Sequence, residues 1–379
     1  MAKHTFEYDL IVIGSGAGGS AAATIAARAG KKVAIIEEDV FGGDSPNWGD
    51  VPTNVLLNVA RIYDEAKHAS RFGLRTTTLG YNYPSIRTWK ELAVKRTGAA
   101  NNRRFYENNG VSAFHGRAHF LTPHEISVNR RHLSAAYFLI ATGSSWSVPT
   151  IPGLEDLNFF TPRTILESLR PPKSIAIIGG GEYGVQIAQL LATFGTKVYI
   201  IEQAARLLPH YDQEVGEALE RVLTEQKGVT VLTHTRVLSA SKEGLGKALL
   251  ISRGGSEKTI KAEEILVAVG AQPNVDLGLE NASVTYTAKG IDVNESLQTS
   301  TKHIYAAGNV LGRDSTTHSA LLESRIAANN MFERTKITPD YTAIPRLLFT
   351  TPEIASVGLT EDDCRRRDLS VKKAVAPLT

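Results

Sequence analysis

The chain has 379 residues, 42% hydrophobic and 21% charged, a balance that excludes a disordered or fibrous protein. Lys and Arg number 42 against 39 Asp and Glu, a formal net charge of +3, so no broad basic footprint for nucleic acid is expected. The single cysteine, Cys364, excludes an internal disulfide, a CxxC redox pair and a cysteine zinc site.

The length suggests two or three domains. No apolar run approaches the ~18 residues of a membrane span. The opening segment, 1–8, is polar and lacks the apolar core of a signal peptide. These features predict a soluble protein of a reducing, cytoplasmic compartment.

In chain order, the first segment, 8–38, reads YDLIVIGSGAGGSAAATIAARAGKKVAIIEE. An apolar β-branched run predicts a parallel strand buried on both faces. Gly14, Gly16 and Gly19 form a GxGxxG turn, an Ala-rich helix runs toward Gly30, and a second strand ends in acid at Glu37. A strand at 136–141 leads into Gly143, and a Pro-rich link at 148–153 predicts a domain boundary. Segment 173–203 then repeats the first without gaps. Gly179, Gly195 and Glu202 follow Gly14, Gly30 and Glu37 at one common offset. Further strands are predicted at 265–269 and 304–307, a helix at about 319–332, and a closing segment from 344 whose first apolar run is 347–349.

The repeat carries chemistry. Its first glycine makes the tight turn, the second admits a pyrophosphate to the backbone, and the third lets helix and strand pack closely. The pyrophosphate then meets the helix N-terminus. The acid that closes each unit falls near the spacing after the last glycine that suits a ribose hydroxyl. One such turn is weak evidence, whereas two complete units predict two dinucleotide sites. Glu202 favours NAD over NADP, because a carboxylate repels a 2′-phosphate. Arg206, four residues on, either softens that preference or is a solvated arginine.

The order of these pieces resembles the pyridine nucleotide–disulfide oxidoreductases, the flavoprotein family of dihydrolipoamide dehydrogenase and mercuric reductase. The motifs are 14–19 with Glu37, Ala141-Thr142-Gly143, 179–184 with Glu202, Tyr305-Ala306-Ala307-Gly308-Asn309, and the FTTPEIASVG run at 349–358. The resemblance implies an α/β protein with two Rossmann-like dinucleotide-binding domains. Its FAD domain is discontinuous (1–152 and 275–340), its NAD domain spans 153–274, and 341–379 begins an α+β interface domain. It further implies FAD on Gly14, Gly16, Gly19, Glu37, Glu38, Gly43, Asp44, Ala118, Ala141, Thr142, Gly143, Asn309, Thr317 and His318. NAD(H) as co-substrate falls to Gly179, Gly181, Glu182, Tyr183, Gly184, Glu202, Val237 and Gly270. A homodimer is implied, with only segment 341–379 present for the interface domain; either the chain is truncated or another polypeptide completes the interface.

Departures from the family pattern bear on activity. Where the family carries two cysteines separated by four residues, this chain has Ser45 and Asp50, framed by Gly43, Asn47, Gly49 and Pro52. Neither forms a disulfide or a thiolate. Asn54 replaces the family's lysine near the flavin, Gln186 the glutamate of the second helix, Ala271 a nucleotide-loop arginine and Asn309 a ribityl-binding aspartate. Losing that lysine and gaining Asp50 nearby disfavours negative charge on a reduced flavin, by about 4 kcal/mol for two charges ~4 Å apart at an effective dielectric near 20, unless burial neutralises Asp50; the helix expected after Thr317-His318 would offset part of this. Asp50 reads either as a proton donor or as a locally hydrogen-bonded polar residue.

Dithiol chemistry is thereby excluded. The expected activity is hydride acceptance from NADH, less readily NADPH, with electrons passing to a small-molecule, non-thiol acceptor such as a quinone, dye, oxygen or second nicotinamide. The alternatives are a catalytically impaired FAD/NAD-binding regulatory protein and a fragment of a larger flavoprotein. No metal site is expected: His115 and His119 are four apart but in strand-like surroundings. Arg365-Arg366-Arg367, balanced by Glu361-Asp362-Asp363, predicts a solvated helix face.

Overall fold

The computed structural model describes residues 6–75, 78–313 and 316–376; most of the polar opening 1–8 considered above lies outside them. The chain forms two compact units. The first comprises Met1–Pro149, Thr161–Arg170 and Val269–Asp340, and the second Thr150–Phe160, Pro171–Ala268 and Tyr341–Thr379.

In the first unit, strand Tyr8–Ile13 lies at the centre of a parallel sheet. Val33–Glu37 and then Val111–His115 flank it on one side, Arg131–Ile140 and then Ile304–Ala306 on the other. Leu10, Ile11 and Val12 are wholly buried, which explains the uninterrupted apolar run. Burying each contributes roughly 1.5–3 kcal/mol. Strand Arg131–Ile140 serves two sheets: its start pairs antiparallel with Glu125–Val128, which pairs in turn with Ala118–Thr122.

Helix Ala17–Arg28 buries Gly18, Gly19, Ala22, Ala23 and Ala26. Such small residues let it approach both the sheet and helix Thr317–Phe332, and Ala22 N donates to Ser324 Oγ at 2.9 Å. The latter helix starts at Thr317, slightly before the predicted 319, because Thr316 caps it and exchanges hydrogen bonds with Ser319.

The second unit repeats the plan. Its parallel sheet runs Thr230–Leu232, Lys197–Ile201, Ser174–Ile178, Glu264–Val267. Helix Glu182–Thr193 is the counterpart of Ala17–Arg28, equal in length and displaced by the offset that relates the two glycine turns. Three antiparallel strands, Thr235–Glu243, Gly246–Arg253 and Ser256–Ala262, lie outside the elements expected from the sequence.

The units change at 149/150 and 268/269, where the sequence suggested 152/153 and 274/275. Thr161–Arg170 returns to the first unit because Lys90, buried on helix Tyr83–Arg96, donates to Leu166 O and to Glu167. Segment 341–379, expected to begin a separate interface domain, groups with the second unit. Two buried glutamines of helix Glu182–Thr193 hold it. Gln186 Oε1 accepts from Phe349 N, and Gln189 both accepts from Thr351 N and donates to Thr351 O. Leu348 is buried and Leu347 exposed in the resulting hairpin Pro345–Leu348 with Ile354–Val357.

The glycine turns are steric necessities. A Cβ on Gly19 would stand 2.0 Å from Gly14 O, and one on Gly184 2.1 Å from Gly179 O. One on Gly181 would meet nothing within 4 Å. Gly19→Ala is therefore expected to cost about 1–3 kcal/mol by overpacking. Gly181→Ala should cost at most about 1 kcal/mol, the penalty for alanine at a helix N-cap. Urea midpoints measure both, and equal losses would contradict the packing argument.

Candidate functional site

The two glycine turns present the same polar arrangement. In the first, Ser15 N donates to Glu37 Oε2 at 3.0 Å and Asp39 N to Glu37 Oε1 at 2.9 Å. In the second, Gly180 N donates to Glu202 Oε2 and Ala204 N to Glu202 Oε1, both at 2.6 Å. Each acid is thus fixed beside its turn with hydrogen-bonding capacity remaining on its oxygens. The helix N-caps, Gly16 and Gly181, are extended and supply no side-chain cap. Uncapped helix N-termini beside a fixed carboxylate suit a pyrophosphate and a ribose diol respectively.

The fit to dinucleotides can be tested on space. Around the first turn, a Cβ on Gly14 would stand 2.2 Å from Ala141 O, which accounts for the glycine against Ala141-Thr142-Gly143. Gly16 and Gly43 face each other across two loops, and a Cβ on Gly43 would lie 2.5 Å from Gly16 Cα. Gly43 also has φ +69°, a conformation glycine adopts freely. At Gly181 the position a side chain would occupy is open. Both cradles fit the phosphate-bearing ligands expected of them.

Several side chains at the first site are not legible in the sequence. Ser15 Oγ donates to Glu37 Oε2 at 2.6 Å and accepts from Gly42 N, tying the acid to the loop before Ser45. Tyr106, buried and distant in sequence, donates its hydroxyl to Ser15 O at 2.8 Å. Burial pushes the Tyr106 phenol upward. Arg163 stacks 3.4 Å over the Trp48 ring and pairs with Asp39 at 2.7 Å. Asp44 accepts from Trp48 Nε1 at 2.5 Å. Although Asp44 is exposed by surface area, protein packed around its carboxyl raises its pKa, against the lowering effects of the Trp48 indole and Arg163.

Ser45 and Asp50 come together. Ser45 Oγ donates to Asp50 Oδ2 at 2.8 Å, and Thr317 Oγ1 donates to the same oxygen at 2.7 Å. Asp50 opens helix Asp50–Lys67, and Thr317 opens helix Thr317–Phe332. The carboxylate therefore has two hydroxyl donors, and its own helix's positive end and that of the helix bearing Thr317 favour its negative charge.

The remaining candidates are more scattered. Asn54 is exposed one turn after Asp50, and His318 is exposed beside Thr317. Asn309 Nδ2 donates to Ser144 Oγ at 3.2 Å. Thr142 and Asn274 exchange hydrogen bonds, fixing the turn that ends at Gly143. Exposed Glu38 pairs with Arg117 at 3.8 Å, one residue before buried Ala118. Gln186 belongs to the second unit, where its amide bonds Glu182 O and Phe349 N. Glu182 accepts from Tyr211 Oη at 2.7 Å and is followed by half-buried Tyr183. Val237 lies at an irregularity in strand Thr235–Glu243. Gly270, expected with the NAD residues, groups with the first unit and has φ +53°. His115 Nε2 is engaged with Asp39 O.

Arg206 is half-buried and its guanidinium is engaged within the second unit. Its Nη2 donates to Pro209 O, Tyr211 O and Asp362 Oδ2. Among the described residues no helix is long and apolar enough to cross a membrane.

A family model for the pyridine nucleotide-disulphide oxidoreductases matches residues 8–324. Mercuric reductase of Staphylococcus aureus is 35% identical over 374 residues, 98% of this chain and 68% of that protein. A dihydrolipoyl dehydrogenase of Bacillus subtilis is 34% identical over 384 residues, 97% of this chain and 80% of that protein. Among solved structures, the HOCl-induced flavoprotein disulfide reductase RclA from Escherichia coli superposes with a TM-score of 0.82 at 26% identity. That match covers 95% of this chain and 79% of RclA. The chain belongs to the pyridine nucleotide-disulphide oxidoreductase family, flavoenzymes that use FAD and NAD(P)H.

Proposed function

We propose that the chain is an FAD-dependent NADH oxidoreductase that delivers electrons to a non-thiol acceptor, such as a quinone, dye, oxygen or second nicotinamide. The observation that carries this reading is the Ser45–Asp50 hydrogen bond of 2.8 Å. It occupies the positions that resemblance assigns to the dithiol, and no sulfur is available there. Relatives named mercuric reductase and dihydrolipoyl dehydrogenase act on substrates that this pair cannot engage by thiol exchange. FAD, when bound, supplies a two-electron relay between the nicotinamide and the acceptor.

The chain's own residues perform the rest. Glu37 and the turn 14–19 hold one dinucleotide, and Glu202 with the turn 179–184 holds the other. Asp50, hydrogen-bonded by Ser45 and Thr317, stands where the family has reactive sulfur. Glu202 favours a free 2′-hydroxyl, and the engagement of Arg206 elsewhere supports NADH over NADPH. A homodimer in a reducing, cytoplasmic compartment completes the reading, and the lone buried Cys364 is compatible with it.

Under anaerobic conditions, the purified yellow protein is expected to lose its visible flavin absorbance faster with NADH than with NADPH. Bound flavin that neither nucleotide bleaches would overturn the reductase reading and leave a binding role, and a chain that takes up no FAD would overturn both. Gly181→Ala is expected to weaken NADH binding roughly tenfold, about 1.4 kcal/mol, with flavin content unchanged. Unaltered NADH affinity would remove the second turn from the site. Cys364→Ala should leave the steady-state rate of NADH oxidation unchanged. A rate that fell with that thiol, at equal flavin content, would contradict a sulfur-free route.

A further inference from the structure

Arg206 follows Glu202 by four residues, in the loop that leaves the second nucleotide strand. The loop folds back on the glycine turn: Leu208 N donates to Gly180 O at 3.0 Å, and a Cβ on Gly180 would meet Leu207 Cδ2 at 2.5 Å and Glu202 Cβ at 3.2 Å. A cation on this loop is thus next in sequence to a residue packed against the turn, yet its guanidinium is bound elsewhere. Arg206 Nη2 donates to Pro209 O at 3.3 Å, Tyr211 O at 3.2 Å and Asp362 Oδ2 at 2.8 Å. Its Nε is buried without a hydrogen-bond partner, so this geometry leaves one of its donors unused.

Asp362 is itself well fixed. It lies in the first turn of helix Glu361–Arg366, which Thr360 caps reciprocally with Asp363. Arg365 Nη1 also donates to Asp362 Oδ1 at 3.1 Å. The helix has anchors independent of Arg206. Glu361 N donates to Asp212 Oδ1 at 2.8 Å, and Lys373 pairs with both Glu214 and Glu361. The hydrogen bond from Arg206 holds the Asp362 carboxyl below the usual range, so the pair is ionised at neutral pH.

We propose that Asp362 is a nucleotide-selectivity residue of the second unit, a positioning residue that acts by holding the Arg206 guanidinium away from a ligand 2′-phosphate. The proposal rests on the reading that this unit binds NADH. In that reading selectivity has two parts. Glu202 repels the 2′-phosphate, and Asp362 withholds the cation that would compensate for it. A guanidinium is suited to phosphate through paired charge-assisted hydrogen bonds, so its retention by a carboxylate from the closing segment alters discrimination without altering Glu202.

The test is titration calorimetry of the full FAD-loaded protein with 5′-AMP and with adenosine 2′,5′-bisphosphate. Asp362→Asn keeps the side-chain volume and removes the charge. It is expected to tighten the bisphosphate by at least about fivefold, roughly 1 kcal/mol, while 5′-AMP affinity stays the same. Asp362→Glu should restore the wild-type ratio, and Asp362→Asn with Arg206→Ala should abolish the gain. A structural effect of the substitution would move both ligands together and would not depend on Arg206. An unchanged affinity ratio in Asp362→Asn, or a gain that persists without Arg206, overturns the proposal while intact 5′-AMP binding leaves the NADH reading standing. Failure of the wild type to bind 5′-AMP overturns both.

Discussion

A carboxylate held at the end of a buried strand, beside a glycine-built turn, is the constraint on which each unit is built. Glu37 and Glu202 accept backbone N–H groups from their own turns and from two residues beyond. The carboxylate can approach because the turn is built around glycine: a Cβ on Gly14, Gly19 or Gly184 would stand 2.0–2.2 Å from a carbonyl oxygen. Each acid therefore organises strand, turn and helix together. Charge-assisted hydrogen bonds of this kind contribute about 1.5–3 kcal/mol each, comparable with burying one aliphatic side chain of the strand beneath.

The same local geometry is fastened differently in the two units. Ser15, in the first, bridges Glu37 to Gly42 through its hydroxyl and so links the acid to the loop bearing Ser45. Its counterpart Gly180 has no side chain, and Leu207 fills the space with Leu208 N pinned to Gly180 O. One turn is thus locked by a polar bridge and the other by apolar contact with the loop that carries Arg206. Either fastening ties the nucleotide turn to the loop where the unit's own selectivity or chemistry is decided.

Legibility follows locality. The turns, both acids and the helices after them are readable because each motif has its reason within a single strand–turn–helix–strand unit. The Ser45–Asp50 substitution is also readable, since Gly43, Asn47, Gly49 and Pro52 preserve its frame. What escapes depends on distant partners. Tyr106 reaches Ser15 and Arg163 reaches Asp39 from remote parts of the chain, and neither has a motif. The partner of Gln186 escapes for the same reason: it is the backbone of Phe349. Segment 161–170 groups with the first unit through contacts that include Lys90, which reads in sequence as one more helix-surface lysine.

The charge at Asp50 shows how a local loss is balanced by structure that composition does not reveal. In the proposed reading, an anion at a cysteine position beside a flavin that gains electrons carries an unfavourable interaction of about 4 kcal/mol at ~4 Å. Ser45 and Thr317 each give the Asp50 carboxyl a hydroxyl donor, so its hydrogen bonds are met within its own unit. Two helix N-termini, Asp50's own and that of the helix bearing Thr317, add about 0.3–1 kcal/mol apiece. Asp50 is thus hydrogen-bonded by groups that belong to its own surroundings. Ser45 and Thr317 must be considered with it, because removing either hydroxyl leaves the carboxylate with one side-chain donor fewer.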